Sequence, residues 1–284
     1  MTWSPASGRE ELEARLRRIG GLPDDEIDLA ETALLLAALD RPRIPLGRYT
    51  DHLEQLCRNT RELAAREDLA SSLKGRAAAL TSVIVERHSY RGDTPTYDDL
   101  QNANLMRVID RRKGLPVALG ILYITAARGQ GWSVVGLNFP GHFLLRLGLA
   151  GDGAILDPFD DGRVLQIANL RELLKSVAGK DAKLQPEHYR AVGNREILLR
   201  LQNNIKLRLL QAERGEEALA VLDSMLMFAP GEAHLWRETG MIHAHLGNLR
   251  AAALSLENFL ELGDNPASLH EAAALLQKVK ARLN

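Results

Sequence analysis

A histidine and an aspartate form the clearest chemical pattern in this chain. His142 stands in FPGHFLLRL and Asp157 stands in ILDPFDDG, fifteen residues later, and each stretch is typical of a short β-strand. A separation of fifteen residues suits a hairpin that places the two side chains next to each other. An aspartate that orients an imidazole makes a general base, which acts on a nucleophile or on water. We therefore predict His142 and Asp157 as triad-like catalytic positions.

A nucleophile for this pair is harder to find. Cys57 is the only cysteine of the 284 residues, so the chain forms no internal disulfide and no multi-thiolate zinc site. It lies in a predicted helix far upstream of His142, where it either supplies the missing thiol or packs as a small apolar residue. No spacing typical of metal ligands and no glycine-rich phosphate loop is present, so we expect neither a metal nor a cofactor.

The elements that must position the pair are mostly helical. Apolar periodicity predicts a helical N-terminal region, residues 1–92, that ends in a turn segment. A helix from Tyr97 to Arg112 is predicted next, followed by a buried helix that begins at Pro116. Three predicted short strands follow, at Ser133–Asn138, Phe143–Leu149 and Ala154–Leu156. This order predicts an α+β fold, predominantly helical, with a small antiparallel sheet in a core of residues 93–192.

A repeat occupies the C-terminal region, residues 193–284. Ala218 in RGEEALAVLDSML and Ala252 in LGNLRAAALSLENFL are thirty-four residues apart, the period of the tetratricopeptide repeat. Residues 267–283 are predicted to form a capping helix. Two units are fewer than the roughly three that a free-standing array needs, so we expect them to lean on the rest of the chain. A protein or peptide partner of this region is the expected use, with an internal brace as the alternative.

The central segment resembles a known family. The run NANLMRVIDRRKGLPVALGILYITAARGQGWSVVGLNFPGHFLLRL, with LDPFDDGRVL after it, resembles the SirB-type branch of the transglutaminase-like superfamily. The resemblance covers roughly residues 95–166 and implies a transglutaminase-like (papain-like) core followed by tetratricopeptide-type helices. In that superfamily a cysteine begins the buried helix, about fifteen residues before a glycine. Counting back from Gly131 reaches Pro116, so the resemblance implies a proline in the place of the nucleophile.

This replacement shapes the functional prediction. Proline has no thiol and no backbone N–H to hold an oxyanion, and loss of the nucleophile alone costs about a millionfold in rate. We expect a non-catalytic binding or scaffolding protein, a pseudoenzyme, while enzyme activity stays open. The alternative is a hydrolase or related enzyme in which His142 and Asp157 act without a cysteine.

Two further residues are candidates for a binding pocket with Pro116, His142 and Asp157. Asn138 ends the first predicted strand. Arg112, within Arg111-Arg112-Lys113, either holds an anion near the head of the Pro116 helix or caps the preceding helix.

Composition limits the classes of partner. Apolar residues make up 45%, charged residues 26%, and the formal net charge is −1, so we expect no nucleic-acid partner. The N-terminus has no apolar signal region and no eighteen apolar residues run together, so we expect no membrane association and a cytoplasmic location. The sequence leaves the oligomeric state open.

Overall fold

The computed structural model describes residues 5–283, with side chains described from residue 8, and its packing divides the chain into two compact units. One unit is Asp24–Leu201, and the other joins the segment that ends at Pro23 to the chain from Gln202 onward. The predicted domains 1–92, 93–192 and 193–284 divide the chain by sequence pattern, whereas these units follow contacts between elements. Within the described residues no helix has the length and apolar character needed to cross a lipid bilayer.

The described residues form twelve α-helices and seven strands, joined by short 3₁₀ segments and one π-helical turn, Ser82–Arg87. The helices are α1 (Pro5–Gly20), α2 (Leu29–Leu39), α3 (Gly47–Arg66), α4 (Leu73–Thr81), α5 (Leu105–Arg111), α6 (Pro116–Arg128), α7 (Ile167–Ala178), α8 (Asn194–Gln211), α9 (Gly215–Phe228), α10 (Ala233–His245), α11 (Leu249–Leu262) and α12 (Pro266–Ala281). The strands are β1 (Arg91–Gly92), β2 (Lys113–Gly114), β3 (Ser133–Phe139), β4 (His142–Leu149), β5 (Asp152–Asp157), β6 (Arg163–Leu165) and β7 (Ala191–Val192).

Helix α6 is the centre of the unit Asp24–Leu201. Ten of its thirteen residues are buried, and it packs against α2, α3, β3 and β4. Pro116 occupies its first position, where the missing N–H would have no partner in the helix anyway. Leu115 before it is extended, at φ −72° and ψ 160°, the conformation that a residue preceding proline prefers. The predicted buried helix is thus confirmed with the predicted start.

The main sheet has the order β6-β5-β4-β3-β7 and is antiparallel throughout. The three predicted strands are confirmed, and each is slightly longer than predicted. Neighbouring residues of a strand point to opposite faces: Phe143 contacts α6 at Gly120, whereas Leu144 packs with Leu170 and Leu174 of α7. The α+β, predominantly helical fold is confirmed.

One predicted helix is wrong. The segment from Tyr97 to Arg112 forms turns, a 3₁₀ helix at Leu100–Ala103 and only then α5. The Asn104 side chain accepts the backbone N–H of Arg107 at 3.1 Å and so caps α5. Asparagine side chains compete in this way for backbone N–H groups. The predicted helix is therefore interrupted at Asn104, and α5 begins only after it.

The other unit contains the predicted repeats. Ala218 on α9 and Ala252 on α11 are both fully buried, which confirms the thirty-four-residue period. Gly240 on α10 allows close packing, since a Cβ there would lie 2.8 Å from Cγ of Leu256. Helix α1 packs against α9, with Gly20 beside the backbone of that helix, and α12 follows the second repeat. The repeats are therefore extended by a helix from the start of the chain.

Candidate functional site

The two triad-like residues lie at the same end of the main sheet. His142 begins β4 and Asp157 ends β5, and the register pairs Leu145 with Leu156. Continuing this register by one residue places Asp157 opposite Leu144, so Asp157 lies diagonally across the two strands from His142. Residues two apart on a strand share a face, so both side chains project from the face that carries Leu144. The hairpin makes the pair diagonal neighbours across β4 and β5.

The Asp157 carboxylate is engaged by its own turn. Its Oδ1 accepts the backbone N–H of Phe159 at 2.9 Å and that of Asp160 at 3.3 Å. No hydrogen bond joins it to the His142 imidazole in the part of the chain that the structure describes. Asp157 therefore shapes the chain after β5, as aspartates at turns commonly do, and does not orient the histidine as a triad aspartate would.

Burial governs the electrostatics of this carboxyl. Asp157 is 8% exposed, and loss of hydration raises its pKa above the ordinary value. The N–H groups of Phe159 and Asp160 and the charge of His142 act in the opposite direction without cancelling the effect. The group is accordingly easier to protonate than an exposed aspartate.

Aromatic residues fix the turn that follows Asp157. The rings of Phe159 and Tyr97 meet edge to face with centroids 5.6 Å apart. A Cβ at Gly92 would lie 2.7 Å from the Phe159 ring, so only glycine allows this approach. Gly92 in turn pairs with Gly114 in the parallel β1–β2 ladder, two residues before α6. The turn is thereby tied to the head of the central helix.

A polar network positions the head of α6. The Leu115 N–H donates to the carbonyl oxygen of Asn102 at 2.9 Å. The Arg111 guanidinium donates to the Asn102 side chain at 2.9 Å and to the buried Asp93 carboxylate at 2.8 Å. All of these groups support Pro116, yet its ring offers no thiol, hydroxyl or N–H.

Cys57 lies at the other end of α6. Its Sγ is 3.4 Å from the carbonyl oxygen of Thr125, and a Cβ at Gly129 would lie 2.7 Å from the same sulfur. Thr125 follows Pro116 by nine residues, which is about 13 Å of helix. Burial raises the pKa of the Cys57 thiol, the opposite of what activates a cysteine. Both observations argue against the alternative in which Cys57 replaces the nucleophile.

Arg200 is a residue of this site that sequence reasoning missed. Its Nη2 donates to the carbonyl oxygen of His142 at 2.7 Å, and its guanidinium carbon lies 5.6 Å from the Phe143 ring centroid. Burial lowers the pKa of Arg200, partly offset by Tyr97 and Glu196. An arginine inside the apolar run ILLRLQ was the available signal.

The structure places the other two pocket candidates elsewhere. Asn138 is exposed, and its backbone N–H donates to the carbonyl oxygen of Arg190 at 3.0 Å. Arg112 caps α5 in the left-handed conformation, at φ 61°. Its guanidinium donates to Nε2 of His52 at 2.6 Å and to the Tyr90 hydroxyl, over whose ring it lies. Arg112 thus belongs to a separate cluster with His52 and Tyr90.

A buried helix packed on antiparallel strands, with a histidine and an aspartate at one end of the sheet, defines the transglutaminase-like class. The profile of this superfamily matches residues 47–203, and a tetratricopeptide repeat profile matches residues 205–277. Since the first match spans more than half of the chain, the chain belongs to the transglutaminase-like superfamily, and it carries tetratricopeptide repeats.

Bacterial relatives extend the similarity over most of the chain. This chain is 32% identical over 238 residues to a UPF0162 protein of Vibrio cholerae, and the aligned region covers 84% of this chain and 87% of the relative. A UPF0162 protein of Pseudomonas aeruginosa is 31% identical over 240 residues, covering 84% and 86%. One of Xylella fastidiosa is 28% identical over 242 residues, covering 84% and 85%.

Proposed function

We propose that this chain is a non-catalytic transglutaminase-like protein that acts as a binding or scaffolding module. The observation that carries the proposal is Pro116 at the head of α6, while the thiol of Cys57 contacts Thr125, nine residues or about 13 Å of helix further along. Acyl transfer by this class of site needs a nucleophile beside the imidazole. Neither Pro116 nor Cys57 can provide it.

The state of Asp157 supports the same proposal. In a working triad the aspartate accepts a hydrogen bond from the histidine and holds the correct tautomer. Here the carboxylate accepts from the backbone of Phe159 and Asp160 instead. These contacts support a role for Asp157 in stabilising the turn after β5 rather than in catalysis.

The repeats offer the surface on which a partner would bind. Leu207 on α8 and Met241 on α10 occupy equivalent repeat positions, thirty-four residues apart, and are 54% and 47% exposed. An ion pair between Lys206 and Glu238 joins the two helices beside them. Large apolar side chains exposed on neighbouring helices are typical of protein-binding surfaces. We propose this row as the contact for a protein or peptide.

An assay of turnover tests the non-catalytic proposal. Purified wild-type protein is offered ester, amide and amine-acceptor substrates in parallel with His142→Ala and Cys57→Ala. The expected result is the same background rate for all three proteins. A matched control is His234→Ala, which removes an exposed histidine of α10. Turnover that is lost in His142→Ala but kept in His234→Ala would overturn the proposal.

The alternative function is a hydrolase that uses His142 and Asp157 without a cysteine. One observation favours it: a half-buried imidazole shares a sheet face with a carboxyl of raised pKa, which could hold a proton for a leaving group. This alternative predicts turnover that survives Cys57→Ala and disappears in both His142→Ala and Asp157→Asn.

A binding experiment tests the role of the repeats. Tagged full-length protein captures partners, which are identified by mass spectrometry and compared with those of Met241→Glu. Leu254→Glu is the matched control, because Leu254 is 62% exposed but lies on α11. Partners retained by wild type and Leu254→Glu but lost from Met241→Glu support the proposed row. Identical partner sets for all three proteins would remove this row from the mechanism.

A further inference from the structure

A cleft lies at the end of the main sheet opposite His142. Its volume is about 540 Å³. Gly148, one of its lining residues, follows His142 by six residues on β4, which corresponds to about 20 Å of extended strand. The cleft is therefore separate from the candidate site described above. Its lining includes Arg76, Ser133, Arg146, Gly148, Asp152 and Gly153.

The floor of this cleft follows from the register of three strands. Ser133 on β3 pairs with Gly148 on β4, and Gly148 pairs with Gly153 on β5. This row of one small residue and two glycines contributes no large side chain of its own to the sheet surface. Arg146 stands two residues before Gly148 on the same face, and its flexible side chain lies beside Gly153.

Arg76 is held in one orientation at the edge of the cleft. Its Nε donates to the carbonyl oxygen of Ala70 at 2.8 Å, and its Nη1 donates to that of Gly148 at 3.1 Å. The guanidinium also lies over the Trp132 ring, 5.2 Å from its centroid. Within the described residues no hydrogen bond uses Nη2 of Arg76. A guanidinium fixed in this manner needs little further ordering to bind an anion.

Arg146 and Ser133 supply further donors. Arg146 is exposed, and among the described residues its guanidinium has neither an ion pair nor a hydrogen bond. The Ser133 hydroxyl is likewise unused across the same part of the chain. Asp152 is the one acidic residue among those that line the cleft, so the formal charge of the lining is positive.

We propose that this cleft binds the oxyanion group of a small ligand, a phosphate or a carboxylate. The planar forks of Arg76 and Arg146 match both groups, the Ser133 hydroxyl adds a donor, and the glycine floor admits the ligand to the backbone. This site does not depend on the proposed function, because its residues are distinct from His142, Asp157 and the repeats.

A titration followed by NMR of the full-length protein tests the proposal. The probes are inorganic phosphate and citrate, and the readout is the backbone amide signals of Gly148, Gly151 and Gly153. We expect saturable shifts with at least one probe, and an affinity about tenfold weaker in Arg146→Gln, because a charge-assisted contact is lost. Saturation by phosphate alone assigns a phosphate ligand, and saturation by citrate alone assigns a carboxylate.

A second variant tests the floor without changing the charge. Gly153→Leu fills the depression, and the nearest atoms to a Cβ there belong to the flexible Arg146 side chain, at 3.3 Å, so the fold should accept it. Arg107→Gln removes an exposed arginine of α5 and serves as the control. Thermal unfolding checks that each variant is folded. The absence of saturable shifts with both probes, or equal affinity in wild type, Arg146→Gln and Gly153→Leu, would overturn the proposal.

Discussion

The thiol of Cys57 points at the carbonyl oxygen of Thr125, with 3.4 Å between sulfur and oxygen. The contact lies near the carboxyl end of α6. In transglutaminase-like enzymes the reactive group belongs at the amino end of the corresponding helix, where the helix dipole stabilises a thiolate. We therefore expect the single thiol of this chain to act as a packing residue and to react slowly.

Alkylation kinetics check this expectation. Because burial raises the pKa of Cys57, less thiolate exists at a given pH than in an exposed cysteine. Native protein should react with a small alkylating reagent more slowly at neutral pH than the same chain unfolded in urea. The Arg61 charge lowers the pKa of the thiol, so Arg61→Gln should slow the native reaction further. A native rate above that of the unfolded chain would indicate an activated cysteine instead.

Gly120→Ala should destabilise the protein by about 1–3 kcal/mol, since overpacking a filled core forces side chains off their preferred rotamers. A Cβ at this position would lie 2.8 Å from Cδ1 of the buried Phe143 ring and closer still to Cε1. Chemical denaturation measures the change. Gly47→Ala is the control, because nothing lies within 4 Å of a Cβ there. Replacement of Phe143 by leucine in the Gly120→Ala background should recover part of the loss, and a loss unaffected by that replacement would contradict the assigned contact.

Asp157 predicts a specific pH dependence of stability. Its folded pKa lies above the ordinary 3.8, so its contribution is fully present below that pH and is lost as pH rises through the folded pKa. Asp157→Asn keeps a side-chain acceptor for the Phe159 and Asp160 N–H groups but no longer ionises. The free energy of unfolding of Asp157→Asn, relative to wild type, should therefore increase as pH rises from about 4 towards neutrality.

Asp157→Ala completes this comparison. It leaves both N–H groups of the turn without their acceptor and should be less stable than Asp157→Asn by about 1–3 kcal/mol at every pH, since neither variant ionises at this position. A relative stability of Asp157→Asn that falls with rising pH would show that the carboxylate is stabilised in the fold.

The pH dependence of stability expected from His52 has the opposite sign to that expected from Asp157. Burial, followed by the charges of Arg112 and His88, lowers the pKa of His52 from 6.5 to about 4. The folded state therefore favours the neutral ring, and its contribution to stability is present above about pH 6.5 and is lost as pH falls towards about 4. Unfolding free energies measured across this range should depend less on pH in His52→Gln than in wild type. Parallel slopes for wild type and His52→Gln would contradict the assignment.

The sequence was most informative where periodicity and packing agree. The repeats carry a period that places Ala218 and Ala252 in equivalent buried positions, and the strands after α6 alternate between two covered faces. The helix start at Pro116 is equally predictable from sequence, because the preference of proline for the first helical position does not depend on tertiary structure.

The remainder depends on contacts distant in sequence. The Tyr97–Arg112 helix was mispredicted because the Asn104 cap competes with an apolar pattern that continues through it. Arg76 and Arg200 lie on helices and donate to the carbonyl oxygens of Gly148 and His142 on β4, residues that are distant from them in sequence. The same holds for Cys57, since no local feature tells which end of α6 it contacts.

The order of the main sheet also affects how this unit meets other molecules. The long strands β3 and β4, of seven and eight residues, lie in the interior of the sheet. Its edge strands are short: β6 has three residues and β7 has two. Such short edge strands leave few unpaired backbone N–H and C=O groups with which a strand of another molecule could pair. Growth of the sheet from one molecule into the next is thereby discouraged, even in a crowded solution.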